Sequence, residues 1–416
     1  MDKKPEKLVP EVRFKGFTDD WEQHKLGEIS FKVNTKNKEN LTLPVLSNSA
    51  EYGIVNQEDY FDKKIANRTD NYYIVKHNDF VYNPRISKKA PYGPIRRNTL
   101  DTKGLMSPLY YVFRINDGNY IYLDYYFKSS KWYKFMYQNG DSGARSDRFA
   151  IKDKIFQMMP ISMPNTKEQN KIGQLIQTLQ KLIDLQQRKL RQLKQLKKAM
   201  LQQLFVSKNS KQPVLRFENF DSDWRQHSLE DISAKTYSGL TGKSKDDFGH
   251  GKARYITYLN VHNNEVAVSD GVEQIEVDSK QNKVLKGDLL FTISSEVPSE
   301  VALNSVWSSE DGTDIYLNSF CFGIRPKSNY VNSFFLTYYL RSPQMRKLIY
   351  PLAQGISRFN ISKRSILALK INTPVLPEQI SIYKVLMHID NLITHQQNKL
   401  TQLTTLKKYL LQNLFI

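Results

Sequence analysis

Cys321 is the only cysteine among 416 residues. One thiol cannot close an internal disulfide, and it cannot supply the thiolate pairs of a structural zinc site. The seven histidines are scattered, with no spacing toward acids or toward Cys321 that suggests a metal. No stretch approaches the roughly 18 uninterrupted apolar residues of a membrane helix, and Met1-Asp2-Lys3-Lys4-Pro5 lacks the apolar core of a signal peptide. A chain kept in the cytoplasm, away from membranes, is expected. Catalytic signatures are missing too. No Gly-x-Gly-x-x-Gly marks a dinucleotide or adenosyl pocket. In Gly239-Leu240-Thr241-Gly242-Lys243-Ser244 only two residues separate the glycines where a phosphate loop needs four, and Tyr237 stands where the first glycine belongs. Asn83-Pro84-Arg85-Ile86 is half of the Asn-Pro-Pro-aromatic clasp of amino-methyltransferases, with a bulky charge in the wrong place. Asp62-Lys63-Lys64 and Asp278-Ser279-Lys280 have a nuclease-like acid-x-lysine spacing that chance supplies in a lysine-rich chain. No active site is expected.

Acid is also scarce: 61 basic residues face 42 acidic ones, a net charge of +19. That balance favours a polyanion or an acidic protein surface as partner. Hydrophobic residues at 40% and aromatics at 12% describe an ordinary globular chain with enough apolar material for more than one core.

What the chain does contain, it contains twice. Arg13-Phe14, Phe17, Asp20-Trp21, Gln23-His24, Leu26 and Ile29-Ser30 return as Arg216-Phe217, Phe220, Asp223-Trp224, Gln226-His227, Leu229 and Ile232-Ser233, at a constant offset of 203. By the ends of the halves the offset is 210. There Arg148-Phe149 matches Arg358-Phe359, Glu168-Gln169 matches Glu378-Gln379, and Leu204-Phe205 matches Leu414-Phe415. Residues 31–103 and 234–314 resemble each other poorly. So long a period is not a solenoid unit; it is a duplicated domain with its connecting element, arranged with approximate twofold symmetry.

The connecting elements are helical. Ile172, Ile176, Leu179, Ile183, Leu190 and Leu193, then Met200 and Leu204, fall on a and d positions of a heptad. Ile382, Leu386, Ile389, Ile393, Leu400 and Leu403, then Leu410, repeat the pattern, with Gln186 and Gln396 at the same seam position. Thr166 and Gln169 have capping-box spacing, and Pro377 suits a first turn. Each helix of roughly 38 residues would run about 57 Å, and the two are expected to pair antiparallel as a ruler. Between Asn165 and Lys208 stand ten Lys or Arg and two acids. Part of that excess is a solvated face; the rest points to a phosphate backbone or an acidic partner.

The globular parts read as mixed α/β. Asn71–Val75, Asp79–Tyr82, Tyr110–Phe113, Arg254–Leu259, Asp288–Phe291 and Phe320–Ile324 have strand character, and 120–137 and 330–348 have helical spacing. The expected division is an N-terminal segment 1–17, a globular domain 18–160, a long helix 165–208, a second domain 213–372 and a second helix 375–416. Candidate nucleic-acid contacts sit in loops. The stretch Asn83–Arg97 offers Arg85, Lys88, Lys89, Tyr92, Arg96 and Arg97 on a proline-stiffened frame. Matching small-residue turns end in Arg145, Arg148 and Arg358, and a flexible loop carries Lys243 and Lys245. Arginine can fork onto a guanine edge while lysine holds phosphates.

Two unlike α/β domains, each entered at Trp21 with Leu26 or Trp224 with Leu229, and each followed by Pro-x-x-x-Glu-Gln and a long helix ending in Leu-Phe, resemble the specificity subunit of a type I restriction–modification enzyme. Gly287-Asp288-Leu289-Leu290 belongs to that resemblance; Asn78-Asp79 departs from it, as does Gln180 where the second copy has Asp390. The resemblance implies that each domain reads one half of a split, asymmetric site in double-stranded DNA, while the paired helices set the unread spacer. It implies docking of two methylating subunits on the helical region, restriction subunits joining them, and S-adenosylmethionine held by the partner, none by this chain. Two rival readings are a free-standing DNA-modifying enzyme with an unrecognised site and a coiled-coil scaffold that binds only proteins.

Overall fold

Alternation of apolar side chains decides how each sheet is covered. In a computed structural model that describes residues 8–62, 68–142, 147–207, 210–310 and 312–416, the chain separates into two compact units, Met1–Gln187 with Asn398–Ile416, and Arg188–Gln397. In the first unit the strands Ser30–Lys32, Tyr111–Ile115, Phe80–Tyr82 and Ile95–Arg97 form one sheet in that spatial order. Phe80, Tyr82, Tyr111 and Phe113 point to a core shared with the helices Tyr120–Tyr126 and Tyr133–Asn139, and Val81 and Val112 point to a second core on the other face. That second core is closed by the sheet Gly53–Asn56, Val45–Ser49, Gly104–Met106 and Tyr73–Val75.

The second unit repeats the scheme and enlarges it. Ser233–Ser238, Cys321–Pro326, Leu289–Thr292, Asn304–Trp307 and Val266–Ala267 make five strands, and Val272–Ile275, Phe248–Ile256 and Ile315–Leu317 make three. Leu289, Phe291, Phe322 and Ile324 face the helices; Leu290 and Cys321 face the opposite core. Burial pushes the Cys321 thiol far up, so it is an inert packing group.

The matched edges of the repeat are matched contacts. Glu22–Lys25 pairs antiparallel with Pro160–Met163, and Arg225–Ser228 pairs with Lys370–Thr373 in the corresponding register. Arg13 forks onto Glu168 at 2.8 and 2.9 Å and gives a third bond to the Asp19 carbonyl. Arg216 does the same to Glu378 and to the Ser222 carbonyl. Gln169 and Gln379 each donate to a proline carbonyl, Pro164 or Pro374, at 2.8 Å, and each accepts from a helix-capping asparagine backbone, Asn119 at 2.9 Å or Asn332 at 2.8 Å. Asp79 and Asp288, fully buried, are each held by an arginine fork, Arg114 or Arg325. The residues before them have φ of 69° at Asn78 and 86° at Gly287. Asparagine is one of the few side chains that enters this left-handed region readily, which accounts for Asn-Asp in one copy and Gly-Asp in the other.

The heptads become the helices Thr166–Gln203 and Leu376–Asn413. Both units contain them antiparallel. In the first, Ile172, Ile176, Leu179 and Ile183 share a core with Leu400, Leu403, Leu410 and Phe415. In the second, Leu204 and Phe205 share a core with Ile382 and Leu386. Ile389 and Leu190 are also buried; Leu193 and Ile393 are half-buried.

Some expectations need correction. The helix start at Thr166 is capped by Asn165, whose side chain accepts from the Glu168 backbone at 3.0 Å; Gln169 is spent on Asn119 and Pro164 instead of a capping box. The strand expected through Leu259 stops at Ile256, because Thr257 caps the helix Tyr258–Asn263 through its hydroxyl. The helical stretches 120–137 and 330–348 are each two short helices, the second pair divided at Ser342, which caps its follower.

Candidate nucleic-acid interface

In the first unit the basic loop and the arginine turn are zipped together. Arg85 and Arg148 form a backbone bridge, the Ile86 amide donates to the Asp147 carbonyl at 3.0 Å, and the Phe149 amide donates to Pro84 at 2.8 Å. A tight turn follows, with Ser87 and Ala90 bonded both ways at 3.0 Å. Gly93 is required: at φ 81° a Cβ there would lie 2.0 Å from the Asn83 carbonyl oxygen. Tyr92 is half-buried and wedged edge-on between Tyr133 and Phe149, at centroid distances of 5.2 and 5.1 Å. It stiffens the loop from beneath.

The cations divide by environment. Arg85, Lys88 and Arg148 are exposed and form no ion pair among the described residues. Lys89 is exposed and meets Glu51 at 2.8 Å, a solvent-screened pair that a phosphate can displace at little cost. Arg96 and Arg97 belong to the strand Ile95–Arg97 and are not loop residues. Arg96 is half-buried and donates to the Ala50 and Ile95 carbonyls; burial lowers its pKa. Arg97 donates to Asn78 at 2.8 Å and lies 3.8 Å from Asp124. Arg145 lies outside the described residues.

Beside Arg148 opens a cleft of about 880 Å³, lined by Lys32, Tyr82, Tyr111, Phe149, Lys152 and Phe156 among others. Lys32 lies 5.2 Å from the centre of the Tyr111 ring. Burial pushes the Tyr111 hydroxyl up to about 12, so it stays neutral, and it accepts from the Gln157 amide at 3.1 Å. Lys32, Tyr111 and Lys152 escape a reading of motifs because they come from three separate segments and carry no local signal.

In the second unit, Arg358 is exposed and lies 5.0 Å from the Phe320 ring centre. Its turn is pinned by Ser294–Ser295 pairing with Phe359–Asn360. The glycine loop leans on the same corner: Gly239 donates to the Cys321 carbonyl at 3.0 Å, and a Cβ on Gly239 would lie 2.0 Å from the Asn318 oxygen. Lys245 is exposed. Lys243 is not: it meets Asp278 at 2.9 Å and Asp247 at 3.5 Å, and its hydrogen bond is the main reason the Asp278 carboxyl falls to about 2. Ile356 projects from the arginine turn, 96% exposed. The segment after Ser294–Ser295 carries Glu296 and Glu300, whereas the segment that pairs with Arg148 in the first unit carries Arg85, Lys88 and Lys89. Among the described residues no three His, Cys, Asp or Glu side chains gather as a metal cluster, and no helix is long and apolar enough to cross a membrane.

The family described as type I restriction modification DNA specificity domain matches residues 18–195 and again 221–405. A protein of Methanocaldococcus jannaschii assigned as a type I restriction enzyme MjaX specificity subunit is 27% identical over 220 residues, 52% of this chain. The match spans about half of that relative's length, 50%. Among solved structures, the S subunit of a type I restriction-modification system from M. genitalium superposes over 98% of this chain and 99% of its own, with a TM-score of 0.56 at 15% identity. The HsdS subunit of Thermoanaerobacter tengcongensis covers 95% and 96%, with 0.50 at 15%. At such identities the likeness is one of fold. The twofold family match takes in most of the chain and falls on both copies of the repeat, so the chain belongs to the family of type I restriction modification DNA specificity domains.

Proposed function

We propose that this chain is the noncatalytic DNA-recognition subunit of a type I restriction–modification complex. Each globular part reads one half of a bipartite, asymmetric site, and the paired helices set the unread spacer. The observation that carries this reading is the double family match, one on each of two dissimilar copies of a chain whose net charge is +19. Within the first unit, Arg85, Lys88, Lys89 and Arg148 supply the exposed positive charge, and Tyr92, Arg96 and Arg97 hold the frame. Within the second, Arg358 and Lys245 take that part, with Ile356 as an apolar contact for a thymine methyl or a base step. Lys243 is already neutralised and serves as a loop staple.

Docking of two modification subunits falls to the outer surface of the long helices. The seam residues are buried or half-buried, whereas Leu175, Leu182, Leu185, Leu196, Leu392 and Leu406 are exposed. The modification subunits bring S-adenosylmethionine and the methyl-transfer chemistry, and restriction subunits join them.

Gel-shift titration against random duplexes, with the modification subunit present, tests the reading. Binding should weaken steeply with salt, each neutralised phosphate adding about 0.9 to the log–log slope. Replacing Arg85 and Arg148 by alanine should reduce that slope. Salt-indifferent or absent binding would leave the protein-only scaffold as the better description.

A further inference from the structure

The first unit holds a cavity of about 400 Å³ walled by Arg96, Arg97, Lys128, Gln180 and Lys407. Two acids line it. Asp124 is shared between Lys128 at 2.8 Å and Arg97 at 3.8 Å, and Glu51 at the rim is engaged by Lys89. The Arg97 Nε is buried there without a hydrogen-bond partner. Four cations thus line one cavity with two carboxylates, of which Asp124 alone pairs with any of the four.

The second copy of the repeat shows how the same position is neutralised when the protein does it alone. Lys407 corresponds to Lys197 and Gln180 to Asp390, at the offset of 210 that the helices keep. Lys197 is clasped by Asp390 at 2.6 Å and by Glu265 at 2.8 Å. Burial pulls its pKa down, but those two carboxylates outweigh burial and leave it raised. Lys407 instead reaches the neutral Gln180 amide oxygen, whose own amide group donates to Asp184 at 2.7 Å. Burial, reinforced by the charge of Lys128, lowers the Lys407 pKa. Where one copy places two acids, the other has an amide and an open space. Asp184 and Asp124 act on Lys407 only through space and do not outweigh its burial; a buried cation with no carboxylate in contact is costly, and arginine forks match phosphate oxygens in geometry.

We propose that this cavity binds an oxyanion of the phosphate class, which supplies the negative charge that Asp390 and Glu265 supply in the second unit. Its volume admits inorganic phosphate with room to spare and lies in the range of small-ligand pockets, so a mononucleotide presenting its phosphate shares the chemistry.

The test uses the full chain without DNA. Melting temperature and titration calorimetry are followed as inorganic phosphate is added, against potassium chloride at matched ionic strength. Phosphate should raise the melting temperature saturably, beyond the chloride control. Gln180→Asp, which restores the second copy's carboxylate, should melt higher than the parent without phosphate and bind phosphate at least about tenfold more weakly. Should that variant fold poorly, Lys407→Met removes the buried cation and should likewise abolish the response. A parallel titration with AMP separates the sources: tighter binding than phosphate assigns the site to a nucleotide, equal or weaker binding to the free ion. A phosphate shift no larger than that of chloride, or an undiminished response in the folded variants, overturns the proposal.

Discussion

Glu168 has no exposed surface, and a carboxylate so placed is tolerable because Arg13 wraps it with two hydrogen bonds. Breaking a buried pair from one side strands the other charge. Arg13→Ala should therefore lower unfolding free energy by roughly 3–5 kcal/mol in urea titration, and Arg216→Ala should do the same through Glu378. A loss within experimental error would mean that the pair is ornamental. Both partners are visible in the sequence as repeated residues, but their partnership is not, because 155 positions separate them. Lys243 is the opposite case. Its glycine and lysine neighbours suggest a free phosphate contact, while Asp278, the residue that occupies it, lies in a different loop and gives no local warning. Surface charge is legible from one stretch of chain; the counter-charge that cancels it rarely is.

Among elements, the long helices are the most legible, since a heptad repeat has one packing solution and their ends carry Glu-Gln and Leu-Phe in duplicate. The seam also contains lysines that a count of basic residues assigns to a solvated face. Lys197 and Lys407 keep the heptad spacing and turn inward, and only the acids around them distinguish their fates. The short aromatic helices are less legible: apolar periodicity runs through 330–348 unbroken, yet Ser342 ends one helix and caps the next. The purpose of Leu-Phe emerges from packing. Phe415 meets Tyr122 at 5.3 Å, behind Trp21, and Phe205 meets Phe335 at 5.7 Å, behind Trp224. Phe415→Ala should cost about 3–5 kcal/mol. Hydrogen exchange should then quicken in the core around Trp21 and Tyr122 and leave Trp224 and Phe335 unchanged. Equal loosening of both cores would show that the helix tip is not the local plug described.

On the scale of the molecule, the duplicated edges build matching frames and the unmatched middles build different sheets, four strands with four in one unit and five with three in the other. The frame was readable because its residues recur; the variable sheets were readable only as strands, since their pairing depends on contacts across the domain. The proposed division of labour gives a whole-molecule expectation. Exchanging residues 18–160 for another family member's domain should alter one half of the methylated sequence, and lengthening both long helices by matching turns should widen the unread gap. Methylome sequencing of cells expressing each variant with its modification subunit reads both. A domain exchange that altered both halves at once would separate this chain from the scheme.

The first unit takes one structural component from a distant part of the sequence, since the Asn413 carbonyl accepts from the Val12 amide at 3.0 Å and Phe415 sits behind Trp21. At ribosomal speeds of about 5–20 residues per second, the 210 residues from Phe205 to Phe415 take roughly 10 to 40 s to emerge. Throughout that interval the aromatic socket made first stands open. A socket built early is thus sealed late, and its fate in the cell is tied to whatever shields it from aggregation until Phe415 has emerged.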